Sequence, residues 1–98
     1  MPADLRVVFP PPGWFLGDVR LVVRLDDRIV YGGSFRSGFD VRARVEPGEH
    51  VLQTSLEMGL VSRKRPYTIT VSDQDTAITV TLSYSRFWGN FSSKARIE

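Results

Sequence analysis

The chain of 98 residues contains no cysteine. Disulfides, thiolate metal sites and thiol catalysis are thereby excluded, and such a sequence suits a reducing compartment. Histidine occurs once, at position 50, and lysine is scarce: eleven of the thirteen cations are arginine. No apolar run approaches the roughly 18–20 residues of a membrane span. The start, Met1-Pro-Ala-Asp-Leu-Arg6, lacks the basic-then-apolar pattern of a secretory leader. Sustained helical periodicity is missing throughout. A formal net charge of +2 gives little electrostatic reason to expect a nucleic-acid partner. The expectation is a cytoplasmic chain without a membrane span.

What the chain does have is alternation of period two, punctuated by turns. Leu5–Phe9 reads as a first strand, and Pro10–Gly17 as an irregular connection in which prolines fix φ and withhold backbone donors. Val19, Leu21, Val23 and Leu25 alternate with Arg20 and Arg24, a half-buried strand with arginine on its outer face. Asp26-Asp27 turns the chain into Arg28–Tyr31, and Gly32-Gly33 suggests a bulge or kink. Phe39, Val41, Ala43 and Val45 alternate with Asp40, Arg42 and Arg44 up to Pro47-Gly48, which reads as a hairpin turn with a left-handed glycine. His50, Leu52, Thr54 and Leu56 share one face of the strand that follows. Glu57–Pro66, with the basic run Arg63-Lys64-Arg65, reads as the longest connection. Tyr67–Val71 and Ile78–Tyr84 read as a final threonine-faced hairpin around Ser72–Asp75, and residues 92–98 as a fraying tail.

These signals give one all-β domain over residues 1–98. The expected architecture is a single antiparallel β-sandwich of six to seven short strands, immunoglobulin-like or transthyretin-like. Strands Leu25-Asp26-Asp27-Arg28-Ile29-Val30-Tyr31-Gly32 and Val45-Glu46-Pro47-Gly48-Glu49-His50-Val51-Leu52, followed by Tyr67–Leu82, resemble a PEGA-type domain over roughly residues 19–84. That resemblance implies a small, non-enzymatic accessory or binding β-sandwich of the kind attached to larger bacterial proteins. It transfers no catalytic residue.

The residues that could carry chemistry have plainer explanations. His50 lacks a nucleophile in sequence and suits a packing and hydrogen-bonding role across its turn. The pairs Asp26-Asp27 and Asp73/Asp75 are turn formers that fall short of a calcium ligand set, so neither metal nor cofactor is expected. Gly33–Gly38 has phosphate-loop glycine spacing without the lysine or the helix such a loop needs.

Two groups remain as partner-binding candidates. Arg20, Arg24, Arg42 and Arg44 would form a basic stripe if their strands were neighbours in one sheet. Trp14, Phe15, Phe87 and Trp88, with Phe91, would either cap the sandwich or present aromatic anchors. The chain is therefore expected to be a non-enzymatic protein-interaction or structural accessory domain acting through a strand edge, with Leu5–Phe9 the expected edge, or through exposed aromatics. One alternative is a carbohydrate-binding module using Trp14 and Trp88. A second is an anion- or nucleic-acid-binding face built from arginine. A sandwich this small is expected to hold no ligand-sized cavity of about 300 Å³ or more.

Overall fold

The computed structural model describes residues 2–11, 18–58, 60–85, 90–92 and 94–98. Among them are ten strands: β1 (Ala3–Phe9), β2 (Arg20–Leu25), β3 (Arg28–Ser34), β4 (Phe39–Val45), β5 (Gly48–Met58), β6 (Val61–Val71), β7 (Ala77–Thr81) and three of two residues each, β8 (Tyr84–Ser85), β9 (Asn90–Phe91) and β10 (Arg96–Ile97). They form two four-stranded sheets, ordered β10-β7-β1-β4 and β3-β2-β5-β6, with β8 and β9 as a small separate ladder. The protein is an all-β sandwich, as its alternation predicts, and its seven longer strands match the expected number.

Alternation places the core. Ala3, Leu5, Val7 and Phe9 on β1 are buried, as are Leu21, Val23 and Leu25 on β2, Leu52 and Leu56 on β5, and Ile69 and Val71 on β6. These odd- or even-numbered sets fill the space between the sheets, because successive strand side chains point to opposite faces. One end of the sandwich is closed by rings. Phe9 lies 4.9 Å from Phe91 and 5.5 Å from Phe35 between centroids, Tyr84 meets Phe35 at 4.9 Å, and Tyr31 stacks on Phe39 at 4.8 Å.

The connections depart from expectation in an informative way. Asp26-Asp27 is a true hairpin turn: both residues are left-handed, with φ of 50° and 66°. Two positive φ values are what a two-residue type I′ turn needs to match the twist of its strands. Pro47-Gly48 is not a hairpin turn. β4 lies in one sheet with β1, whereas β5 lies in the other with β2 and β6. Proline holds φ near −65°, which bars it from the first central position of a type I′ or II′ turn. Gly48 does take a positive φ, 129°, and the chain crosses from sheet to sheet there. The expected hairpin around Ser72–Asp75 is also a crossing, since β6 pairs with β5 while β7 pairs with β1 in parallel.

Residues 57–66, expected as a long connection, belong to the longest hairpin instead. β5 and β6 pair continuously from Gly48↔Val71 to Met58↔Val61, so Arg63-Lys64-Arg65 lies within a strand. The irregularity between β2 and β3 falls at Val30, where the register jumps from Val23↔Tyr31 to Arg24↔Ile29, and not at Gly32-Gly33. The terminal residues expected to fray pair with β7: Arg96 lies opposite Thr81, and Glu98 exchanges both backbone hydrogen bonds with Thr79. Finally, β1 is an interior strand, with β4 on one side and β7 on the other. Pro10 ends its ladder but exposes neither flank, so the expected strand edge at Leu5–Phe9 is corrected.

Candidate functional site

The true edges are β10 and β4 in one sheet, β3 and β6 in the other. Unpaired edge strands invite pairing with another chain, and folded proteins blunt them by brevity, proline, bulges or cover. Three of the four show such a device. β10 has two residues. β3 carries the bulge at Val30 and two glycines. β6 contains Pro66 and is overlaid by residues 90–92. There the Arg65 Nε donates to the Phe91 carbonyl at 3.1 Å, the Tyr67 hydroxyl to the Ser92 carbonyl at 2.5 Å, and the Asn90 amide to the Lys64 carbonyl at 3.3 Å. Burial pushes the Tyr67 hydroxyl up to about 12, so it stays a donor at any ordinary pH.

β4 has no proline, bulge or covering segment among the described residues; what blunts it is charge, at Asp40, Arg42 and Arg44. Its seven residues, Phe39-Asp-Val-Arg-Ala-Arg-Val45, run in unbroken register against β1, from Phe9↔Phe39 to Ala3↔Val45. Which of its backbone groups face outward follows from β1. The Asp4 N–H donates to the Thr76 carbonyl and the Val8 carbonyl accepts from the Leu82 N–H, so the even residues of β1 address the β7 side. The odd residues of β1 then address β4, through Val41, Ala43 and their odd neighbours. The N–H and C=O groups of Asp40, Arg42 and Arg44 therefore point away from the sheet, and no strand pairs with them among the described residues.

The side chains of the same three residues lie on the outer face of that sheet and are exposed. Arg6 holds Asp40 with both prongs of its guanidinium, Nε to Oδ1 at 2.9 Å and Nη2 to Oδ2 at 2.5 Å. That contact holds the Asp40 carboxyl below its usual range, with the charge of Arg42 contributing further. Arg44 lies 3.4 Å from Asp4, its direct cross-strand neighbour. Arg42 is directly opposite Arg6 and has no ion-pair or hydrogen-bonding partner among the described residues. Like charges directly opposite on a sheet repel. The spaces between these long side chains form a cleft of about 560 Å³ with Thr79 and Ala77.

A second cleft, of about 540 Å³, opens between the edges β3 and β4. Leu25, Val30, Ala43 and Val45 line it, and Ile29, 60% exposed, stands at its rim. Both clefts exceed the volume expected of so small a sandwich. They lie at the surface, between side chains and between sheet edges, while the interior is filled. The second cleft ends at His50. Its Nδ1 lies 2.5 Å from Asp26 Oδ2 and its Nε2 lies 2.6 Å from the Glu46 carbonyl. The Asp26 Oδ1 also accepts from the Val51 N–H at 2.9 Å. His50 thus ties the β2–β3 turn to the crossing between β4 and β5. The Asp26 carboxylate and then the Glu46 carbonyl hold its proton more tightly than usual, against the opposing effect of burial. Both ring nitrogens are thereby engaged.

The four arginines expected as one stripe do not form one. Arg20 and Arg24 face outward from the β2 sheet, and Arg42 and Arg44 from the opposite sheet, so the core separates the pairs. Arg20 sits opposite Glu57, at 3.6 Å. Phe91 is fully buried in the ring cluster and serves as a cap. Trp14, Phe15, Phe87 and Trp88 lie outside the described residues. Among the described residues no group of His, Asp and Glu is suited to a metal ion, and no helix is long and apolar enough to cross a membrane.

Sequence reasoning missed the edge at β4 and the pair Arg6–Asp40. Part of the signal for the edge was available: Pro47 after the strand disfavours a tight hairpin, and the strand itself is a faultless alternation of apolar and charged residues. No protein-family model, curated protein sequence or solved structure matches the chain.

Proposed function

We propose that this domain is a non-enzymatic interaction module that accepts a β-strand from another polypeptide along β4. The observation that carries this reading is the row of outward-facing backbone donors and acceptors at Asp40, Arg42 and Arg44, on an edge that no proline, bulge or covering segment interrupts among the described residues. Strand addition gives main-chain affinity, and side chains on alternate positions give selectivity. The cleft between β3 and β4, with Val30, Ala43 and Val45 in its lining, offers room for the inward-pointing side chains of an added strand. The resemblance of residues 19–84 to PEGA-type accessory domains supports the same class of role.

Arg42→Pro tests the reading cleanly. The Arg42 N–H faces outward, so proline there removes an edge donor and leaves the β1–β4 ladder intact, a placement that sheets tolerate. Affinity purification from native extract should recover a partner with the wild-type domain and lose it with Arg42→Pro, at an unchanged melting temperature. An identical set of bound proteins for both would refute strand addition at β4.

A further inference from the structure

We infer that the strand accepted along β4 is β4 of a second copy, giving a two-fold dimer with one continuous eight-stranded sheet. This rests on the edge reading above and goes beyond it by naming the partner. Antiparallel self-pairing must place like-facing residues opposite one another, so the two-fold axis passes beside a single residue of the strand. Four such registers are available near the middle of β4, and the charges choose among them. An axis at Asp40 sets Asp40 against Asp40 of the other copy. An axis at Arg42 sets the two Arg42 side chains against each other between two Asp40–Arg44 pairs, so a repelling rung lies at its centre. An axis at Ala43 sets Arg42 against Arg44. Only the axis at Val41 sets Asp40 against Arg42 twice, with Val41 facing Val41 and Phe39 facing Ala43 on the inner side.

The hydrogen-bonding parity agrees with that register. The free backbone groups belong to the even residues, so Asp40 and Arg42 of opposite copies would form the hydrogen-bonded pairs, each exchanging two bonds. The electrostatics of the single chain point the same way. Arg42 stands opposite Arg6 and forms no ion pair among the described residues; the acid nearest it along its strand, Asp40, is bound by Arg6. In the dimer it gains Asp40 of the second copy, whose other contact is Arg6 of that copy. Each repelling Arg6–Arg42 rung is thereby extended by an attracting carboxylate. On the inner side, the apolar residues of the added strand meet the cleft between β3 and β4, whose lining includes Val30 and Val45.

Sedimentation velocity of the 98-residue chain across about 1 µM to 1 mM, the span over which weak association is read, tests this directly. The wild type should pass from monomer to dimer. Arg42→Asp and Asp40→Arg should each raise the dissociation constant about tenfold or more, because each sets like charges together. An equimolar mixture of the two variants should dimerise again, since Asp40 and the new acid of one copy then face the two basic positions of the other. Arg42→Asp also turns the Arg6–Arg42 rung attractive, so its melting temperature should hold or rise, which separates lost pairing from lost folding. Should Asp40→Arg fail to melt cooperatively, Arg42→Pro takes its place as the second disrupting variant. A wild type that stays monomeric throughout, single variants that dimerise as tightly as the wild type, or a mixture of folded variants that stays monomeric would each overturn self-pairing. If the wild type is monomeric yet loses a co-purifying protein on Arg42→Pro, self-pairing is overturned while strand addition at β4 stands.

Discussion

His50→Ala should destabilise the domain by about 1–2 kcal/mol, and the loss should depend on pH. The ring's two nitrogens each face an oxygen acceptor, the Asp26 carboxylate and the Glu46 carbonyl. A neutral imidazole has one N–H and satisfies one of them, while an imidazolium donates to both. Hydrogen bonds with a charged partner contribute about 1.5–3 kcal/mol when well shielded. Here the imidazole is 14% exposed but the Asp26 side chain is 45% exposed, so water competes and the lower figure applies. For a domain of this size, about 1–2 kcal/mol lowers the melting temperature by roughly 5–15 °C.

The direction of the pH dependence follows from the two groups. The folded state holds the His50 proton more tightly than the unfolded chain does. Below about 6.5, the ordinary histidine value, both states are protonated and the contribution is complete. As pH rises above it, the unfolded chain sheds its proton first, and the contribution drains away through the folded value. Asp26 behaves oppositely. The hydrogen bond from His50, then that from the Val51 N–H, holds its carboxyl below the usual range. Its contribution is full above about 3.9 and is lost as pH falls through the folded value. The pair therefore stabilises most between about pH 4 and 6.5. Arg28, Arg44 and Glu46 line the same cleft. Urea unfolding of wild type and His50→Ala at intervals from pH 4 to 9 gives the difference directly. Because the chain has a single histidine, one ring resonance reports its titration without ambiguity. A difference that stays constant across that range, or a ring that titrates at or below the ordinary value, would falsify the doubly donating arrangement.

Three further outcomes are expected. Gly38→Ala should destabilise by more than about 2 kcal/mol, read by chemical denaturation, because Gly38 sits at φ 66° and a Cβ there would overlap the Phe9 carbonyl oxygen. Asp27→Gly should raise stability by up to about 1 kcal/mol in the same assay, since an Asp-Gly pair relieves the left-handed cost at the second position of the type I′ turn. Phe91→Ala should cost about 3–5 kcal/mol and quench the near-ultraviolet circular dichroism, as the ring is fully buried against Phe9 and Phe35.

Local signals carried the strands and misassigned their partners. The alternation at Leu5–Phe9, Phe39–Val45 and His50–Leu56 placed buried faces correctly, because burial of every second residue is a property of the strand itself. Asp26-Asp27 was legible for the same reason: the turn is made by the two residues that name it. Pro47-Gly48 and Ser72–Asp75 look equally like turns, yet both carry the chain to the other sheet. In the first, the fixed φ of proline already argued against a hairpin. In the second, no local feature distinguishes a crossing from a hairpin, and the outcome is decided by β7 finding β1. The candidate site was hidden by the same limit. Arg6 and Asp40 are 34 residues apart, and only the β1–β4 register brings them together. The arginine stripe failed because it assumed that Arg20 and Arg42 shared a sheet.

The exposed edge and the crossings have one origin. A strand joined to its sequence neighbour by a hairpin acquires a partner at once, as β2 does from β3 and β5 from β6. A strand entered and left by crossings acquires none locally and depends on whatever distant segment reaches it. β4 is entered through Gly38 and left through Pro47, and β1 is the segment that reaches it. Since β1 satisfies only the odd residues of β4, the even ones stay open unless a further strand arrives. In the companion sheet the hairpin partners β3 and β6 occupy the edges, and bulge, proline and the residue 90–92 segment protect them. The sheet built by crossings therefore ends in a regular strand that nothing covers among the described residues, its outer side chains being Asp40, Arg42 and Arg44. Such a strand repels most registers of most partners and favours a strand that offers an acid opposite Arg42 and a base opposite Asp40. β4 itself meets that description.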